Sequence, residues 1–347
     1  MASAGSDPYR LGSAVLASRS MWRAQELVCA LNRRKWLKRS AIFAIAAIGL
    51  WLLGSLSTAY LLTRRPHPVF TEPLPDVPWG HPQSFRLSTD DGQELGAWFF
   101  SGRHNQPLIL LLHGNRGCRG DCLPQAEILV AAGCPALLIS MRAHGDSTGD
   151  VNDVGYSARN DVIAAVNWLR EKQPGRPVIV WGQSLGAAAA VFAASHLGDD
   201  VAGYILECPY QDLRTAVRNR TEYYLPPIAA QVAYAGAATV APLVLPDVDR
   251  ISPLEAASSI PESARVLILA GGADRRARAA EARAIFERIQ SHARLLVVPE
   301  ADHLRLLAAD PTTYQEAVRK LIGDCRMEAS GGRQRDLNEA TRETADH

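Results

Sequence analysis

The stretch Val178-Ile179-Val180-Trp181-Gly182-Gln183-Ser184-Leu185-Gly186-Ala187-Ala188-Ala189-Ala190 reads as an apolar strand, a Gly-x-Ser-x-Gly turn and an alanine-rich helix. This pattern predicts a nucleophile elbow, a sharp strand-to-helix turn that holds one side chain in a strained, exposed position. Gly182 and Gly186 remove side chains that would collide where the helix crosses back over the strand. The first N–H groups of the helix point at Ser184, where an anionic intermediate would need them. The alternative is a tight turn in which Ser184 only caps the helix.

Eight apolar segments, including the one before the turn, have the length and composition of strands. The first two flank a hairpin signal, Asp90-Asp91-Gly92, and predict an antiparallel pair. The later ones alternate with predicted helices, which indicates a mostly parallel, eight-stranded α/β sheet covered by helices on both faces. The predicted strands are Phe85–Thr89, Leu95–Phe100, Leu108–Leu112, Ala136–Ser140, Val178–Trp181, Gly203–Leu206, Val266–Ala270 and Leu295–Val298. The predicted helices are Leu123–Ala132, Val154–Lys172, Leu185–Leu197, Ala277–Ile289 and Pro311–Ile322.

A nucleophilic serine needs a base, and an acid that orients the base. In an open α/β sheet these groups lie in loops just past the carboxyl ends of strands. Asp274 follows the predicted strand Val266–Ala270, and His303 follows Leu295–Val298. We therefore predict a catalytic triad of Ser184, Asp274 and His303, in the chain order of the α/β-hydrolase fold.

Four further residues are alternatives for the acid or the base. Glu207 ends a predicted strand, and Asp302 adjoins the predicted base in sequence, so each is a candidate acid. Asp274 is preferred because it occupies the loop position that a triad acid requires. His113 and His144 are candidate bases, but both precede the elbow, whereas the base of this fold follows it.

An oxyanion hole needs two N–H donors near the serine. We expect one from the backbone of Leu185, directly after the nucleophile. The other is expected from the backbone of Asn115, in the loop after the third predicted strand. In the same loop Gly114 is expected to line the site, and the imidazole of His113 to brace the loop rather than to catalyse.

The loop after the fourth predicted strand, Arg142-Ala143-His144-Gly145-Asp146-Ser147, follows the same edge of the sheet. Arg142 and His144 are therefore expected to line the site. The preferred interpretation of this loop is structural, with hydrogen bonds from Arg142 and Ser147 fixing its conformation.

Several of these segments together resemble the α/β-hydrolase superfamily. They are His113-Gly114-Asn115-Arg116-Gly117, Arg142-Ala143-His144-Gly145-Asp146-Ser147, Gly182-Gln183-Ser184-Leu185-Gly186, Leu206-Glu207-Cys208-Pro209, Asp274 and Ala301-Asp302-His303. The resemblance spans about residues 83–323. It is greatest to membrane-anchored abhydrolase-domain proteins and to serine-aminopeptidase-like or monoacylglycerol-lipase-like hydrolases. It implies hydrolysis of an ester, thioester or amide through an acyl-enzyme, with no metal and no organic cofactor.

The sequence departs from that family's pattern in three places. Ala187 stands where this branch often has a second glycine, and Arg275-Arg276-Ala277 follows Asp274 in place of an apolar-proline step. Cys118 and Cys122 lie in the predicted oxyanion loop, either as a local disulfide or as free, small apolar side chains. The six cysteines show no spacing typical of a zinc site. No departure removes a member of the triad.

The run Ala41–Leu62 carries no charged side chain and is long enough to cross a bilayer core of roughly 30 Å as a helix. Basic residues cluster before it, from Arg19 to Arg39, and only Arg64 and Arg65 follow closely. This bias predicts a single-pass anchor with a cytoplasmic N-terminus and an extracytoplasmic catalytic domain. A cleaved signal peptide and a buried soluble helix are the alternatives, and the length and position of the run favour the anchor.

Composition divides the rest of the chain. Residues 1–40 are predicted to be a polar, basic leader, and residues 63–82, with six prolines, an extended, stiff linker. The hydrolase domain is predicted at 83–323. The polar and charged residues 324–347 are predicted to be a disordered tail.

An insertion of about 60 residues separates the sixth and seventh predicted strands, with a predicted lid at about 211–264. It contains Tyr223-Tyr224-Leu225-Pro226-Pro227-Ile228 and a piece rich in Ala, Val and Leu from Ile228 to Leu245. An apolar insertion near the active edge predicts a lid over a lipophilic pocket. The alternative is an extra helix packed on the core.

The net charge of +1 gives no sign of a nucleic-acid binder. The sequence predicts a membrane-anchored serine hydrolase for small-molecule carboxylic esters or thioesters with lipophilic acyl groups. One alternative is a serine-aminopeptidase-like amide hydrolase, which would need an acidic pair, from Glu207, Glu222 and Asp247, to hold a substrate amine. The other is a non-catalytic scaffold with the same fold.

Overall fold

The computed structural model describes residues 9–326 of the chain, and within the first helix it describes side chains from Leu31 onward together with Trp22 and Cys29. The start of the predicted leader, residues 1–8, lies outside the described residues. The same holds for residues 327–347, which make up most of the predicted tail. The first residues assigned to that tail, 324–326, are helical.

In the described residues, eight strands form a single mixed sheet in the order β1-β2-β4-β3-β5-β6-β7-β8. They are β1 Gln83–Ser88, β2 Glu94–Phe100, β3 Leu108–Leu112, β4 Ala136–Ile139, β5 Val178–Gln183, β6 Gly203–Glu207, β7 Arg265–Gly271 and β8 Ala293–Val298. β2 is antiparallel to both of its neighbours, and the strands from β4 to β8 in this order are parallel. The predicted eight-stranded, mostly parallel sheet is therefore confirmed.

The helices follow the predicted alternation, with the largest shift at the start of the third helix. They are α1 Tyr9–Leu62, α2 Leu123–Ala131, α3 Arg159–Lys172, α4 Leu185–Leu197, α5 Leu213–Tyr224, α6 Pro227–Val244, α7 Pro253–Ala256, α8 Ala279–Arg288 and α9 Leu306–Ala309, followed by α10 at 311–326. Helix α3 was expected from Val154 and begins at Arg159. Val154 and Gly155 have φ angles of 59° and 110°, which an α-helix does not accommodate.

Helices cover both faces of the sheet, and the alternation of side chains along β3 shows it. Leu110 joins a buried cluster with Val166 of α3 on one face. Leu111, the next residue, joins a second cluster with Leu129 of α2 and Val318 of α10 on the other face. Both faces of the central strands are thus removed from water, which explains their continuous apolar sequences.

The parallel strands end at nearly the same level. The register pairs Gln183 of β5 with Glu207 of β6, and Gly271 of β7 with Val298 of β8. The loops after β5, β7 and β8 carry the three predicted triad residues. The fold therefore brings side chains separated by as many as 119 positions to one edge of the sheet.

Two described helices have the length and composition of a membrane span. The segment Leu31–Leu62 of α1 has a mean hydropathy of 1.9, and none of its apolar window is buried. Helix α6 has a mean hydropathy of 1.4, and 17% of its window is buried. The sequence prediction of an anchor falls within the first of these helices.

Candidate active site

Ser184 lies in the turn between β5 and α4 with φ 50° and ψ −103°, a positive-φ conformation that strains a non-glycine residue. Two glycines permit this turn. A Cβ on Gly182 would lie 2.3 Å from the carbonyl carbon of Gly186, and one on Gly186 would lie 2.6 Å from the Leu112 carbonyl oxygen. The N–H of Ser184 donates to the carbonyl oxygen of Glu207 at 2.7 Å. The chain thus makes the sharp turn that the glycine spacing predicts.

The structure brings Ser184, His303 and Asp274 together. The Oγ of Ser184 lies 3.2 Å from Nε2 of His303, and Nδ1 of His303 lies 2.6 Å from Oδ2 of Asp274. With its proton on Nδ1, the imidazole donates to the carboxylate and can accept from the hydroxyl. All three residues are buried. The arrangement can pass the hydroxyl proton to the imidazole while the carboxylate fixes the ring.

Asp274 is held as a carboxylate. Its Oδ1 accepts hydrogen bonds from the backbone N–H groups of Arg276 at 2.8 Å and Ala277 at 3.0 Å. Burial acts to raise the pKa of Asp274, but the hydrogen bond and charge of His303, with the two N–H donors, lower the pKa below its usual value. The Arg275-Arg276-Ala277 sequence, a departure from the family pattern, therefore supplies two donors to this acid.

The two alternative acids have other partners. Glu207 is fully buried, and its Oε2 accepts from the hydroxyl of Tyr314 at 2.9 Å, Nε2 of Gln183 at 3.3 Å and Nε1 of Trp181 at 3.4 Å. Burial raises the pKa of Glu207, and the three donors offset it only in part. Asp302 accepts from the backbone N–H of the residue that follows it, at 2.7 Å. Among the described hydrogen bonds, neither carboxylate reaches the imidazole of the predicted base.

The two alternative bases brace loops. Nδ1 of His113 donates to the carbonyl oxygen of Gly114 at 2.8 Å, and its Nε2 accepts from the N–H of Met141 at 3.0 Å. Nδ1 of His144 donates to a carbonyl of its own loop at 2.9 Å, and its Nε2 accepts from the N–H of Arg116 at 3.3 Å. Burial lowers the pKa of His113 to about 3 and that of His144 to about 4, so both are neutral at pH 7.

The predicted oxyanion loop lies beside the nucleophile. A Cβ on Gly114 would lie 3.8 Å from the Cβ of Ser184, an ordinary van der Waals distance, so the two residues are neighbours. The side-chain Oδ1 of Asn115 accepts from Nδ2 of Asn152 at 2.8 Å. Leu185 is the first residue of α4, where backbone N–H groups have no partner within the helix. The donor roles of Leu185 and Asn115 stay predictions, and this proximity favours them.

Arg142, predicted to line the site, makes two ion pairs. Its terminal nitrogens contact Asp91 at 2.7 and 2.9 Å, and its Nε and backbone N–H donate to Asp161 at 2.8 and 2.7 Å. Burial acts to lower the pKa of Arg142, but the two carboxylates raise it. Ser147 donates to a backbone carbonyl and accepts from the N–H of Gly96 at 2.9 Å. These hydrogen bonds of Arg142 and Ser147 agree with the interpretation that both side chains fix the conformation of this loop.

Cys208 is a neighbour of the triad to which the sequence pattern assigned no role. In the described part of the chain, its Sγ and ligand atoms of Asp274 and His303 all lie within 4.8 Å of one another, a spacing that could hold a metal ion. Asp274 and His303, however, are 2.6 Å apart, closer than two ligands of one tetrahedral zinc, at roughly 3.3 Å. Burial also raises the pKa of the Cys208 thiol, which opposes thiolate formation. The position of Cys208, directly after β6, is the signal that it reaches this edge.

The other two cysteines in question are Cys118 and Cys122. Both are free in the structure, the first partly exposed and the second buried. The sequence left open either a local disulfide or two free thiols, and the structure contains the free thiols.

Sequence comparisons match parts of this chain to other proteins. The family described as "Serine aminopeptidase, S33" matches residues 103–248. Lysophosphatidylserine lipase ABHD12 of Danio rerio is 26% identical over 168 residues, which cover 42% of this chain and 44% of that protein. An uncharacterised protein of Mycobacterium tuberculosis is 27% identical over 243 residues, which cover 68% and 77%. The chain therefore spans less than half the length of the zebrafish lipase.

Solved structures match more of the chain. An esterase of Pyrococcus furiosus superposes with a TM-score of 0.60 at 22% identity, covering 74% of this chain and 98% of the esterase. An acylaminoacyl peptidase of Pyrococcus horikoshii superposes with a TM-score of 0.53 at 14% identity, covering 68% and 40%. These likenesses, the strand order and the elbow after β5 define an α/β-hydrolase fold. The chain therefore has the fold of the α/β-hydrolase superfamily, and part of its sequence is similar to the serine aminopeptidase family.

Proposed function

We propose that this protein is a serine hydrolase that cleaves carboxylic esters or thioesters of lipophilic acyl groups through an acyl-serine intermediate. One observation carries the proposal: the hydrogen-bonded path from Ser184 through His303 to Asp274, with distances of 3.2 and 2.6 Å. His303 takes the hydroxyl proton as Ser184 attacks the acyl carbonyl. Asp274 keeps the imidazole in the required tautomer and stabilises the imidazolium that forms.

The remaining steps use the same groups. The backbone N–H groups of Leu185 and Asn115 stabilise the oxyanion of the tetrahedral intermediate. The imidazolium of His303 protonates the leaving alkoxide or thiolate. Water then attacks the acyl-serine with His303 as base, and loss of the carboxylic acid restores Ser184.

The preference for lipophilic acyl groups is inferred from the insertion between β6 and β7. Leu213 and Ala216 of α5 share a buried cluster with Phe192 of α4, the helix that begins at the elbow. Helix α6 has no charged side chain, and Ile228 near its start is 80% exposed. Apolar surface of this kind favours the binding of an acyl chain over that of a polar substrate.

The membrane anchor and its orientation are part of the proposal. The exposed apolar residues 41–62 of α1 would cross the bilayer, and the basic residues before them would stay on the cytoplasmic side. Alkaline phosphatase fused to the C-terminus should then be active. An inactive phosphatase fusion, together with an active cytoplasmic reporter at the same position, would contradict this orientation.

The amide-hydrolase alternative is supported by the description of the matching family. Its requirement for a free acidic pair is less well met. Glu207 is buried among three donors, Glu222 pairs with Arg278 at 2.5 Å, and Asp247 pairs with Arg250 at 3.3 Å. A panel of esters graded by chain length, run beside aminoacyl amides, separates the two: faster turnover of the amides would favour the alternative.

A fluorophosphonate probe tests the serine directly. The wild-type protein should be labelled, and Ser184→Ala should not. Ser195→Ala, an exposed serine on α4, is the matched control and should be labelled like the wild type. Absence of labelling in the wild type would favour the non-catalytic scaffold, and equal labelling of Ser184→Ala would show that Ser184 is not the nucleophile.

A further inference from the structure

We propose that residues 63–72, here called the strap, hold the oxyanion loop at 113–119 in its working conformation, with Glu72 as the principal positioning residue. The strap directly follows Leu62, the last residue of α1. The inference rests on the proposed function, since the oxyanion loop matters only if Ser184 attacks a carbonyl. It adds a requirement beyond the triad, namely that the strap holds the oxyanion loop in place.

Glu72 is a carboxylate buried in a polar network. It is 6% exposed, and its Oε1 accepts from NH1 of Arg119 at 3.0 Å and from the hydroxyl of Ser140. Arg119, fully buried, also donates to both carboxylate oxygens of Asp146 at 2.6 and 2.9 Å and lies 4.6 Å over the ring of Trp98. A buried charge that loses one of its partners is strongly destabilised. This network therefore fixes the strap and the guanidinium relative to each other.

Arg119 is the end of the oxyanion loop, so the network also fixes the loop. The backbone N–H of Arg119 donates to Oγ of Ser140 at 2.9 Å, and Ser140 in turn donates to Glu72. Cys118, the preceding residue, is also close to the carboxylate. Burial, and after it the charge of Glu72, raises the pKa of Cys118 to about 12. The hydrogen bonds of Arg119 and Ser140 thus place Glu72 against the carboxyl end of the loop.

The strap reaches the other end of the loop through Asn152. The carbonyl oxygen of Thr63 accepts from the backbone N–H of Asn152 at 2.9 Å. Nδ2 of Asn152 donates to Oδ1 of Asn115, the predicted oxyanion donor, at 2.8 Å. Arg65 donates to three carbonyl oxygens within residues 145–149, the loop that follows β4. The strap therefore supports both ends of the oxyanion loop and the loop beside it.

The oxyanion loop needs such support. Arg116 has φ 68°, a conformation that a non-glycine residue keeps only where its surroundings hold it. Oxyanion donors act on charge that develops in the transition state, so a small displacement of the loop weakens catalysis more than substrate binding. Loosening the strap should therefore lower kcat and leave KM nearly constant.

The test compares Glu72→Gln with Asp76→Asn in the full chain. The control removes the same charge from an exposed position four residues further along. We expect Glu72→Gln to lower kcat for a p-nitrophenyl ester about tenfold, with KM changed by less than about twofold. The Ki of an alkyl trifluoromethyl ketone, whose adduct needs the oxyanion hole, should rise in parallel. Asp76→Asn should match the wild type in all three.

Two further measurements separate positioning from general stability. Amide hydrogen exchange in residues 113–119 should be faster in Glu72→Gln than in Asp76→Asn. Ile285→Val, a core change in α8, serves as a second control for lost stability. Unchanged exchange in Glu72→Gln, or a loss of kcat that Ile285→Val reproduces for the same loss of Tm, overturns the proposal. If instead Ser184→Ala hydrolyses the ester as fast as the wild type, the proposed function fails, while the exchange data still decide on the strap.

Discussion

The elbow and helix α6 hold their residues in opposite ways. At the elbow, Gly182 and Gly186 leave no room for a methyl group, and every residue of Leu185–Ala194 is buried. In α6, three of the 18 residues are buried, and the side chains of Ile228 and Leu243 are 80% and 75% exposed. Both regions are almost free of charge. Their difference lies in packing and not in composition.

This difference separates two tasks. Proton transfer and oxyanion stabilisation need atoms placed within a few tenths of an ångström, which a close-packed turn provides. Apolar binding is non-directional and scales with area, so an exposed helical face suffices for it. Changes at the elbow should therefore affect kcat or folding. Changes in α6 should affect the dependence of KM on acyl-chain length.

The largest expected effect is that of Asp274→Asn. A neutral amide cannot stabilise the imidazolium, and an NH2 group in place of Oδ2 favours the wrong tautomer of the imidazole, so kcat should fall by about 10⁴-fold. Asp302→Asn is the matched control, because among the described hydrogen bonds the side chain of Asp302 accepts only from the backbone N–H of the next residue. It should change kcat by less than about tenfold. The kcat of ester hydrolysis is measured for both variants. A larger loss of kcat in Asp302→Asn than in Asp274→Asn would assign the role of the acid to Asp302.

The next effect is on stability. In Gly182→Ala, the new Cβ would lie 2.3 Å from the backbone of Gly186, which cannot move without opening the turn. We expect a loss of about 3 kcal/mol in the free energy of unfolding. Gly323→Ala is the control, since Gly323 lies in α10 with nothing within 4 Å of the new methyl group. It should raise the free energy of unfolding by up to about 1 kcal/mol. Urea unfolding of the two variants measures both, and equal stabilities would show that the turn is not close-packed.

The elbow could be predicted from the sequence because its determinants are local. The glycines and the serine lie within five positions, and an apolar strand and an alanine-rich helix flank them. The acid and the base could be predicted because each directly follows a strand, and parallel strands end at one edge. The number of strands and their directions could also be predicted, because the apolar runs and the hairpin signal are local features of the sequence.

The strap could not be predicted in this way. Its proline content indicates an extended segment, but its contacts join residues far apart in sequence: Glu72 and Arg119 by 47 positions, Arg65 and Gly145 by 80. The start of α3 was wrong by five positions, because the positive φ at Val154 depends on tertiary contacts and not on helix propensity. Exposure of α6 is likewise a tertiary property, since its sequence suits a buried helix equally well.

A smaller effect would test the role of α6. Ile228→Ser combined with Leu243→Ser removes exposed apolar surface and should change the free energy of unfolding by less than about 0.5 kcal/mol. KM for long-chain esters should rise by about three- to tenfold, and KM for acetyl esters should stay constant. Leu74→Ser, an exposed leucine outside the insertion, is the control. An equal rise for short and long esters would show that α6 does not bind the acyl chain.

The smallest effect concerns the buried carboxyl group behind the elbow. Burial raises the pKa of Glu207 above its usual value of 4.5, so the folded protein keeps this proton to higher pH than the unfolded chain does. Between the two pKa values the folded state binds more protons, and its stability therefore falls as the pH rises. Glu207→Gln cannot ionise and escapes this loss. Its Tm minus that of the wild type should increase by about 3 °C between pH 5 and pH 8.

The control for this change in the Tm difference is Glu255→Gln. In the wild type, Glu255 is an exposed carboxylate that pairs with Arg288 on the surface. Its Tm difference should stay flat over the same pH range. Since the backbone carbonyl of Glu207, and not its side chain, accepts from the N–H of Ser184, kcat in Glu207→Gln should remain within about twofold of the wild type. A Tm difference that instead stays flat between pH 5 and pH 8 means that Glu207 is already ionised in the folded protein at pH 5. The carboxylate, rather than the acid, would then be what Tyr314 and Gln183 stabilise behind the nucleophile.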